Sequence, residues 1–497
     1  MGDNILNNIV LFYPEITLVV TLCALVFSDL LMKGKGQFTG WLLLGGFCLT
    51  GIFLLLQNGY SESVFDDMFA VDSFGIYFKV ILILSGIFIV LFTMRSRELE
   101  RNMQRIGEYY MLIAGMMLGM FLMVGSTNVL LMYLAFEMTS ISSYVLTGYI
   151  KGSLKSAEAS MKYIIFGAVS SGIMLYGLSL LCGVTGATDI YAINASLVEG
   201  VGQPMVLSTA VLMIIVGLGF KIAVVPFHFW APDVYEGAPL VITAFLAVAS
   251  KIAAFAMLIR LFSVSFLVHV ADTQSTGLLN VIEGLNWNIV LSGMSALAMI
   301  VGNLAALWQT NIKRLLAYSS IAHAGYILMG IVVLTEEARS AMMMYIFIYL
   351  FMNLGAFYIA MLFSNKLNSE SIEDYKGLGF RAPFESVAMT VFMIALAGLP
   401  PTAGFIAKLY IFGAAMNAGW LWLVFIAGVT AVISLFYYIR IVRNMFLYNP
   451  EGESGQLYFD VFSKVIVLLL LIPTLFLGVY FGPLIKLART SINIFGM

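Results

Sequence analysis

The chain has 497 residues, of which 61% are hydrophobic and only 10% charged, and its net charge is −2. Soluble domains carry about 25% charged residues, so most of this surface faces lipid, and the length predicts membrane spans rather than a count of globular domains. Cys23, Cys48 and Cys182 stand singly with no CxxC pair, which argues against an iron–sulfur or zinc site in the chain.

A helix of about 20 apolar residues satisfies its own backbone hydrogen bonds and can cross a bilayer. Such runs predict about fourteen spans. They lie near residues 10–31, 38–57, 74–94, 109–125, 127–149, 157–183, 206–230, 238–269, 287–309, 313–334, 339–364, 384–415, 417–446 and 462–486. The first run has no basic segment or small-residue cleavage site ahead of it and reads as a retained anchor.

Alternate loops collect seventeen basic residues on one side, from Lys33 to Lys464, and three on the other, Arg339, Lys486 and Arg489. The positive-inside rule then puts the basic loops in the cytoplasm and both termini outside. One loop departs from it: residues 231–237 fall on the basic side yet carry Asp233 and Glu236 and no cation. Five basic residues remain inside spans, Lys79, Lys221, Lys251, Arg260 and Lys408. Each costs about 2.5–3.5 kcal/mol at the bilayer centre on insertion scales, so each needs a reason to be there.

Two spans are interrupted. The stretch VGLGFKIAVVPFHFWAPDVYEGAP has Pro226 beside Lys221, and LAGLPPTAGFIAKLYIF has Pro400, Pro401 and Gly404 beside Lys408. They fall at matching places in two successive groups of five spans, and tandem groups of five must have opposite orientations. Broken helices at matching positions of inverted repeats point to a transport site. The expectation is an all-α polytopic membrane protein with two inverted five-helix repeats, each containing a broken helix. Three N-terminal helices would occupy 1–108, the repeats 109–269 and 270–446, and a last helix 447–497.

Proline deletes a backbone donor and clashes with the carbonyl four residues earlier, here that of Ile222. The freed groups require water or side chains, which places Lys221 in a hydrated pocket where burial can tune it toward proton exchange. Glu137, in LMYLAFEMTSISSYVL, is an acid well inside its helix, and pairing with Lys221 would keep both charged. Lys251, in LAVASKIAAFAMLI, sits mid-span among small residues. Lys408 follows the second break. His228 and His323 titrate near neutrality and are candidate proton relays, though a lone histidine is more often a hydrogen-bonded core residue. Lys79 and Arg260 lie nearer span ends, where such side chains can snorkel, and read as structural, as do Glu15 and Asp29. No dinucleotide fingerprint, P-loop or HExxH is present, so nucleotide, flavin and metal chemistry are not assigned to this chain, and nothing points to nucleic acid.

The segment PFHFWAPDVYEGAP, together with LLMYLAFEMTSISSYVL, MKYIIFGAVSSGIMLYG, NIKRLLAYSSIAHAGYILMG and LAGLPPTAGFIAKLYIF, resembles the antiporter-like subunits of respiratory complex I, most closely the N-type subunits of bacterial NADH-quinone oxidoreductase. The pieces span roughly residues 109–446. The resemblance implies a proton channel in the bacterial inner membrane built from two half-channels. Glu137, Lys221, Lys251 and Lys408 would match its acidic residue, first broken-helix lysine, linking lysine and second broken-helix lysine. It also implies that NADH, FMN, iron–sulfur clusters and quinone belong to partner subunits, with other membrane subunits, neighbouring antiporter-like ones above all, as direct partners. Subunits of multi-subunit cation/proton antiporters and of related ferredoxin-linked complexes share the fold and most motifs, and a structural scaffold without transport remains a third reading.

Overall fold

Proline interrupts two apolar runs in this sequence, and the chain breaks at both. The computed structural model describes residues 8–31, 36–102, 106–200, 203–269, 276–278, 287–449 and 455–496. Lys33, Lys35 and Arg105 of the basic loops, and the expected repeat boundary at residue 270, lie outside them. In chain order the main helices are α1 Tyr13–Leu31, α2 Gly36–Leu56, α3 Ser73–Thr93, α4 Ile106–Gly125, α5 Val129–Thr147, α6 Leu154–Thr185, α7 Pro204–Ile222 and α8 Trp230–Gly237. They continue with α9 Leu240–Phe266, α10 Trp287–Leu307, α11 Ile312–Val333, α12 Glu336–Leu367, α13 Pro383–Ala397, α14 Ala403–Asn417, α15 Leu421–Leu447 and α16 Val461–Val479.

Thirteen of these are long and apolar enough to cross a membrane. The expected span at 384–415 is instead two shorter apolar helices, α13 and α14, so taking that pair as one interrupted crossing gives the fourteen expected from the sequence. Strands are confined to two antiparallel hairpins among the described residues, Glu62–Val64 with Phe69–Val71 and Leu267–His269 with Thr276–Leu278.

The centre of the bundle is α9, every residue of which is buried, flanked by the nearly buried α11 and α12. Helices α1, α2 and α16 are mostly exposed and form the rim. Exposed Leu, Ile, Val and Phe line these rim helices, as lipid requires.

At the first break α7 stops at Ile222, and Ala223 takes a left-handed conformation with φ 56°. This is where Pro226 strikes the carbonyl of a continued helix. Trp230 Nε1 donates to the Phe220 carbonyl at 3.0 Å, which also accepts the Ala223 N–H at 3.0 Å, so the end of α7 is closed from both sides. At the second break α13 ends at Ala397 and Gly398 turns the chain with φ 84°. Here the orphan carbonyls of Leu396 and Ala397 accept from Lys408 Nζ at 3.1 and 2.8 Å. A cation at a helix C-terminus also meets the negative end of the helix dipole.

One backbone arrangement occurs twice. Asn128 caps α5, the Val129 N–H donates to the Thr188 carbonyl, and the Ile190 N–H donates to the Thr127 carbonyl, both at 2.9 Å. Asn311 caps α11, the Ile312 N–H donates to the Glu370 carbonyl at 2.9 Å, and the Ile372 N–H donates to the Thr310 carbonyl at 2.8 Å. The short sequences Thr127–Asn128–Val129 and Thr310–Asn311–Ile312 thus start α5 and α11 in the same way. The first turn meets Thr188, just beyond the C-terminal end of α6, whereas Arg314 beside the second reaches Glu236, which also pairs with Lys155 at the start of α6, so the two turns stand at opposite ends of that helix.

The other intramembrane cations do not snorkel. Lys79 is buried and pairs with Glu15 at 2.7 Å, its ammonium 4.5 Å from the Phe69 ring centroid. Arg260 is buried and forks onto Asp72, with Nη1–Oδ2 2.7 Å and Nη2–Oδ1 2.8 Å, while Nε donates to the Val124 carbonyl. Asp72 also accepts the Gly75 N–H as cap of α3 and the Phe495 N–H from the C-terminal segment. Their places near the span ends left room for snorkelling. Carboxylates supplied by distant segments offer a better partner than the interface, because a bidentate Arg–carboxylate pair keeps both charges bonded in place.

Residues 231–237 form a helix, α8, rather than a loop. Asp233 and Glu236 sit one turn apart on it and meet three cations from neighbouring helices. Arg314 Nη1 reaches both, at 2.7 and 2.9 Å, Lys162 reaches Asp233 at 2.6 Å and Lys155 reaches Glu236 at 3.1 Å. The local exception to the charge rule is therefore neutralised in space. Burial raises both carboxyls, but hydrogen bonds and charge from Lys162 and Arg314 for Asp233, and from Arg314 and Lys155 for Glu236, outweigh it and hold both below the ordinary carboxylate range.

Candidate functional site

Four lysine or acid positions were expected to carry chemistry, and each has a defined setting. Lys221 lies in the last turn of α7, fully buried. Its Nζ donates to Ser140 Oγ on α5 at 2.9 Å and stands 5.2 Å from the Phe136 ring centroid. Glu137, three residues from Ser140 on the same helix, is half-buried. It is close enough to act on Lys221 through its charge, but it is not among that lysine's ion pairs, and its Oε1 is buried without a hydrogen bond. The direct Glu137–Lys221 pair expected from the sequence is replaced by a Lys221–Ser140 bond with the carboxylate one step away.

Lys251 follows a π-helical turn, Leu246–Ser250, in α9. Single π turns inside α-helices concentrate at functional positions because they free a carbonyl and re-aim the side chains beyond. Here Tyr349 Oη donates to the Ala247 carbonyl at 3.2 Å. Lys251 Nζ donates to Ser320 twice, to Oγ at 2.8 Å and to its carbonyl at 3.0 Å.

His323 is one turn beyond Ser320 on the same face of α11. It is buried, with Nδ1 2.8 Å from Tyr345 Oη and Nε2 3.5 Å from Tyr438 Oη. Both Lys251 and Lys408 act on it through their charges. Lys408 Nζ, already bonded to the end of α13, lies 4.9 Å from the Tyr326 ring centroid. The Tyr326 hydroxyl accepts from Asn303 Nδ2 at 3.2 Å and donates to Thr430 Oγ1 at 3.2 Å. Tyr437 Oη donates to Asn303 Oδ1 at 2.9 Å. Hydroxyl, imidazole and amide groups thus line the space from Lys251 to Lys408.

His228 stands apart from this chain of groups. It is buried in the first break, its ring lies against Phe229, and its Nδ1 has no hydrogen-bond partner.

Sequence reasoning found the charged members and missed their neutral partners. Ser320 lies three residues before His323, one helical turn, and that spacing was readable. Tyr326, Tyr345, Tyr437, Tyr438, Asn303 and Thr430 are indistinguishable in sequence from ordinary packing and interface aromatics.

Residues 126–434 match the family described as NADH:quinone oxidoreductase/Mrp antiporter, TM. The matched residues take in both breaks and all six candidate residues. The chain belongs to this antiporter-type family. Its similarity to curated members runs nearly end to end. It is 45% identical over 491 residues to NADH-quinone oxidoreductase subunit N 2 of Chloroherpeton thalassium, covering 98% of this chain and 94% of that one. It is 42% identical to NADH-quinone oxidoreductase subunit N of Chlorobium chlorochromatii, covering 98% and 95%. A chain of respiratory complex I from Thermus thermophilus superposes with a TM-score of 0.77 at 30% identity, covering 96% of this chain and 99% of that one. Among the described residues this family member has no cluster of three or more His, Cys, Asp or Glu that could hold a metal ion.

Proposed function

We infer that this chain is a proton-translocating membrane subunit of an NADH-quinone oxidoreductase. The observation that carries the reading is the line of buried ionisable groups Glu137, Lys221, Lys251, His323 and Lys408. Lys221, Lys251, His323 and Lys408 are held by hydroxyl or backbone partners rather than by a permanent counter-ion, and Glu137 acts on Lys221 through its charge. A lysine locked in a tight ion pair holds its proton against a fixed counter-charge. One bonded to a serine hydroxyl or to helix-end carbonyls can give it up and be recharged.

Protons enter from the side of the basic loops, the cytoplasm, and leave on the side of both termini. They pass from the Glu137–Lys221 region to Lys251 and then, past His323, to Lys408. Lys221 lies in the last turn of one half-helix, and the Lys408 ammonium meets the C-terminal carbonyls of another. Residues 109–269 and 270–446 act as two inverted units, supported by the paired breaks and by the Asn128 and Asn311 turns at opposite ends. The first three helices and the last flank them. Moving one charge against 100 mV takes about 2.3 kcal/mol. Electron transfer in partner subunits that bind NADH, FMN, iron–sulfur clusters and quinone supplies it. Neighbouring antiporter-like subunits in the bacterial inner membrane are the direct partners.

A cation/proton antiporter subunit is the second reading, favoured by the joint description of the matched family. The near full-length likeness to N-type subunits favours the first. Purification of the tagged chain from native membranes separates them. Co-migration with NADH dehydrogenase activity is expected, and migration with sodium/proton exchange activity alone supports the second.

A further inference from the structure

A cavity of about 280 Å³ opens on the basic face at the ends of α10 and α15, lined among others by Gln309, Lys376, Arg440, Arg443 and Asn444. Arg440 ties the two helices together there. Its Nη1 donates to the Leu307 carbonyl at 2.9 Å, and its Nη2 donates to the Gln309 carbonyl. One turn further in, the same helices meet again through Asn303 and Tyr437. Asn303 is four residues before Leu307, and Tyr437 is three before Arg440, a rise of about 5 Å in each helix. Both are buried, and Tyr437 Oη donates to Asn303 Oδ1 at 2.9 Å. On the other side of the amide, Asn303 Nδ2 donates to Tyr326 Oη at 3.2 Å. The Tyr326 ring in turn carries Lys408 Nζ over its face, 4.9 Å from the centroid. Arg440, Asn303 and Tyr326 thus follow one another from the cavity to the Lys408 ammonium.

The hydrogen bonds fix the direction of every group in this row. Asn303 Nδ2 also donates to the Met299 carbonyl at 2.7 Å. A carbonyl only accepts, so the amide cannot be turned over and Oδ1 must face Tyr437. Tyr437 gives its one hydroxyl proton to that oxygen. Tyr326 accepts from Asn303 and donates to Thr430 Oγ1 at 3.2 Å. Thr430 directs its own proton at the carbonyls of Ile426 and Ala427, at 2.8 and 3.1 Å. The row therefore ends on backbone carbonyls and not on Lys408. Proton passage along a row requires each member to take one proton and release another. Hydroxyls and carboxyls do this and return to the same species. An amide that takes a proton at Oδ1 and loses one at Nδ2 becomes its imidic acid tautomer, which is far less stable.

We propose that Asn303 is a proton seal that closes the Lys408 end of the path against the basic-face cavity at Arg440. The proposal rests on the proton-translocating reading above and deepens it. A lysine that exchanges protons with one side of the membrane supports pumping only while it is closed to the other. The Arg440 guanidinium, always charged, adds a fixed positive charge outside the seal that opposes an entering proton.

The test uses the assembled complex in inverted membrane vesicles with Asn303→Asp, and with Asn303→Ser where the first variant does not assemble. Aspartate keeps the shape and the oxygen facing Tyr437, and its carboxyl takes a proton on one oxygen and releases it from the other. Serine supplies a hydroxyl and leaves room for water. The readouts are the proton-to-electron ratio during NADH oxidation and the decay of the pH gradient once NADH is exhausted. The expected result is continued NADH oxidation with a reduced ratio and a gradient that decays severalfold faster than in wild type. Adding Lys408→Ala to the leaking variant should return the decay to the wild-type rate, because the leak runs through that lysine. A wild-type ratio and decay in the assembled variant overturn the seal. So does a leak that persists without Lys408, and so does loss of assembly in both variants, which marks a packing role. Lys408→Ala alone keeps the two claims apart. Lost pumping there beside a tight Asn303 variant rejects the seal alone, whereas retained pumping there rejects the place of Lys408 in translocation.

Discussion

Lys251 and Ser320 are joined twice, through the serine hydroxyl at 2.8 Å and its carbonyl at 3.0 Å. The pair connects the wholly buried α9 to α11, and one turn along α11 stands His323. A buried lysine within an apolar span is thereby anchored to the neutral oxygens of Ser320. Ser320→Ala removes one acceptor and keeps the carbonyl, so the lysine stays in place but loses a hydrogen bond to its charged form, worth about 1.5–3 kcal/mol. The expected outcome is an assembled complex with slowed pumping, read by dye quenching in vesicles.

The Asp72–Arg260 pair makes a different prediction. Both side chains are buried, and Asp72 also holds Gly75 and Phe495. Removing one member of a buried pair leaves an uncompensated charge, at a cost of about 3–5 kcal/mol. Arg260→Ala should therefore lower the amount of assembled complex and its melting temperature. Arg260→Lys should rescue only in part, because an ammonium cannot fork onto both carboxylate oxygens.

Gly398 has φ 84°, and a Cβ there would come within 2.7 Å of Lys408 Cδ. Gly398→Ala incurs about 1–2 kcal/mol of left-handed strain and displaces the lysine from the carbonyls of Leu396 and Ala397. Pumping should fall while assembly, measured by native electrophoresis, is largely kept.

The α8 cluster gives a pH dependence. Asp233 and Glu236 have folded-state carboxyls below their ordinary range. Such groups contribute stability that is fully present above the ordinary carboxylate range and is lost as pH falls through the folded values. Thermal stability of the purified complex should hold near neutrality and drop on acidification below that range. Asp233→Asn with Glu236→Gln should flatten the acid drop and lower stability at neutral pH.

The sequence made the breaks and the lysines legible for a physical reason. A proline or a cation inside an apolar run violates the rule for its surroundings and stands out singly. Lys221, Lys251 and Lys408 were found this way, as was His323. Pairing was not legible. Lys79 meets Glu15, Arg260 meets Asp72, and Asp233 meets Lys162 and Arg314 across long stretches of chain, and only the packed fold brings them together. The same limit hid the hydroxyls. The tyrosines between Lys251 and Lys408 obey the rules for buried aromatics, and their role arises from what their oxygens meet. The acidic helix after the first break looked like an exception in the linear charge count and is balanced once α6 and α11 are placed beside it.

The most direct test of proton passage through this chain is the proton-to-electron ratio of the assembled complex carrying Lys251→Ala. It is measured in vesicles from dye quenching and NADH oxidation under identical conditions. Loss of most pumping with the complex intact is the predicted result. A wild-type ratio and rate in the intact variant would contradict the assignment of Lys251 to the proton path.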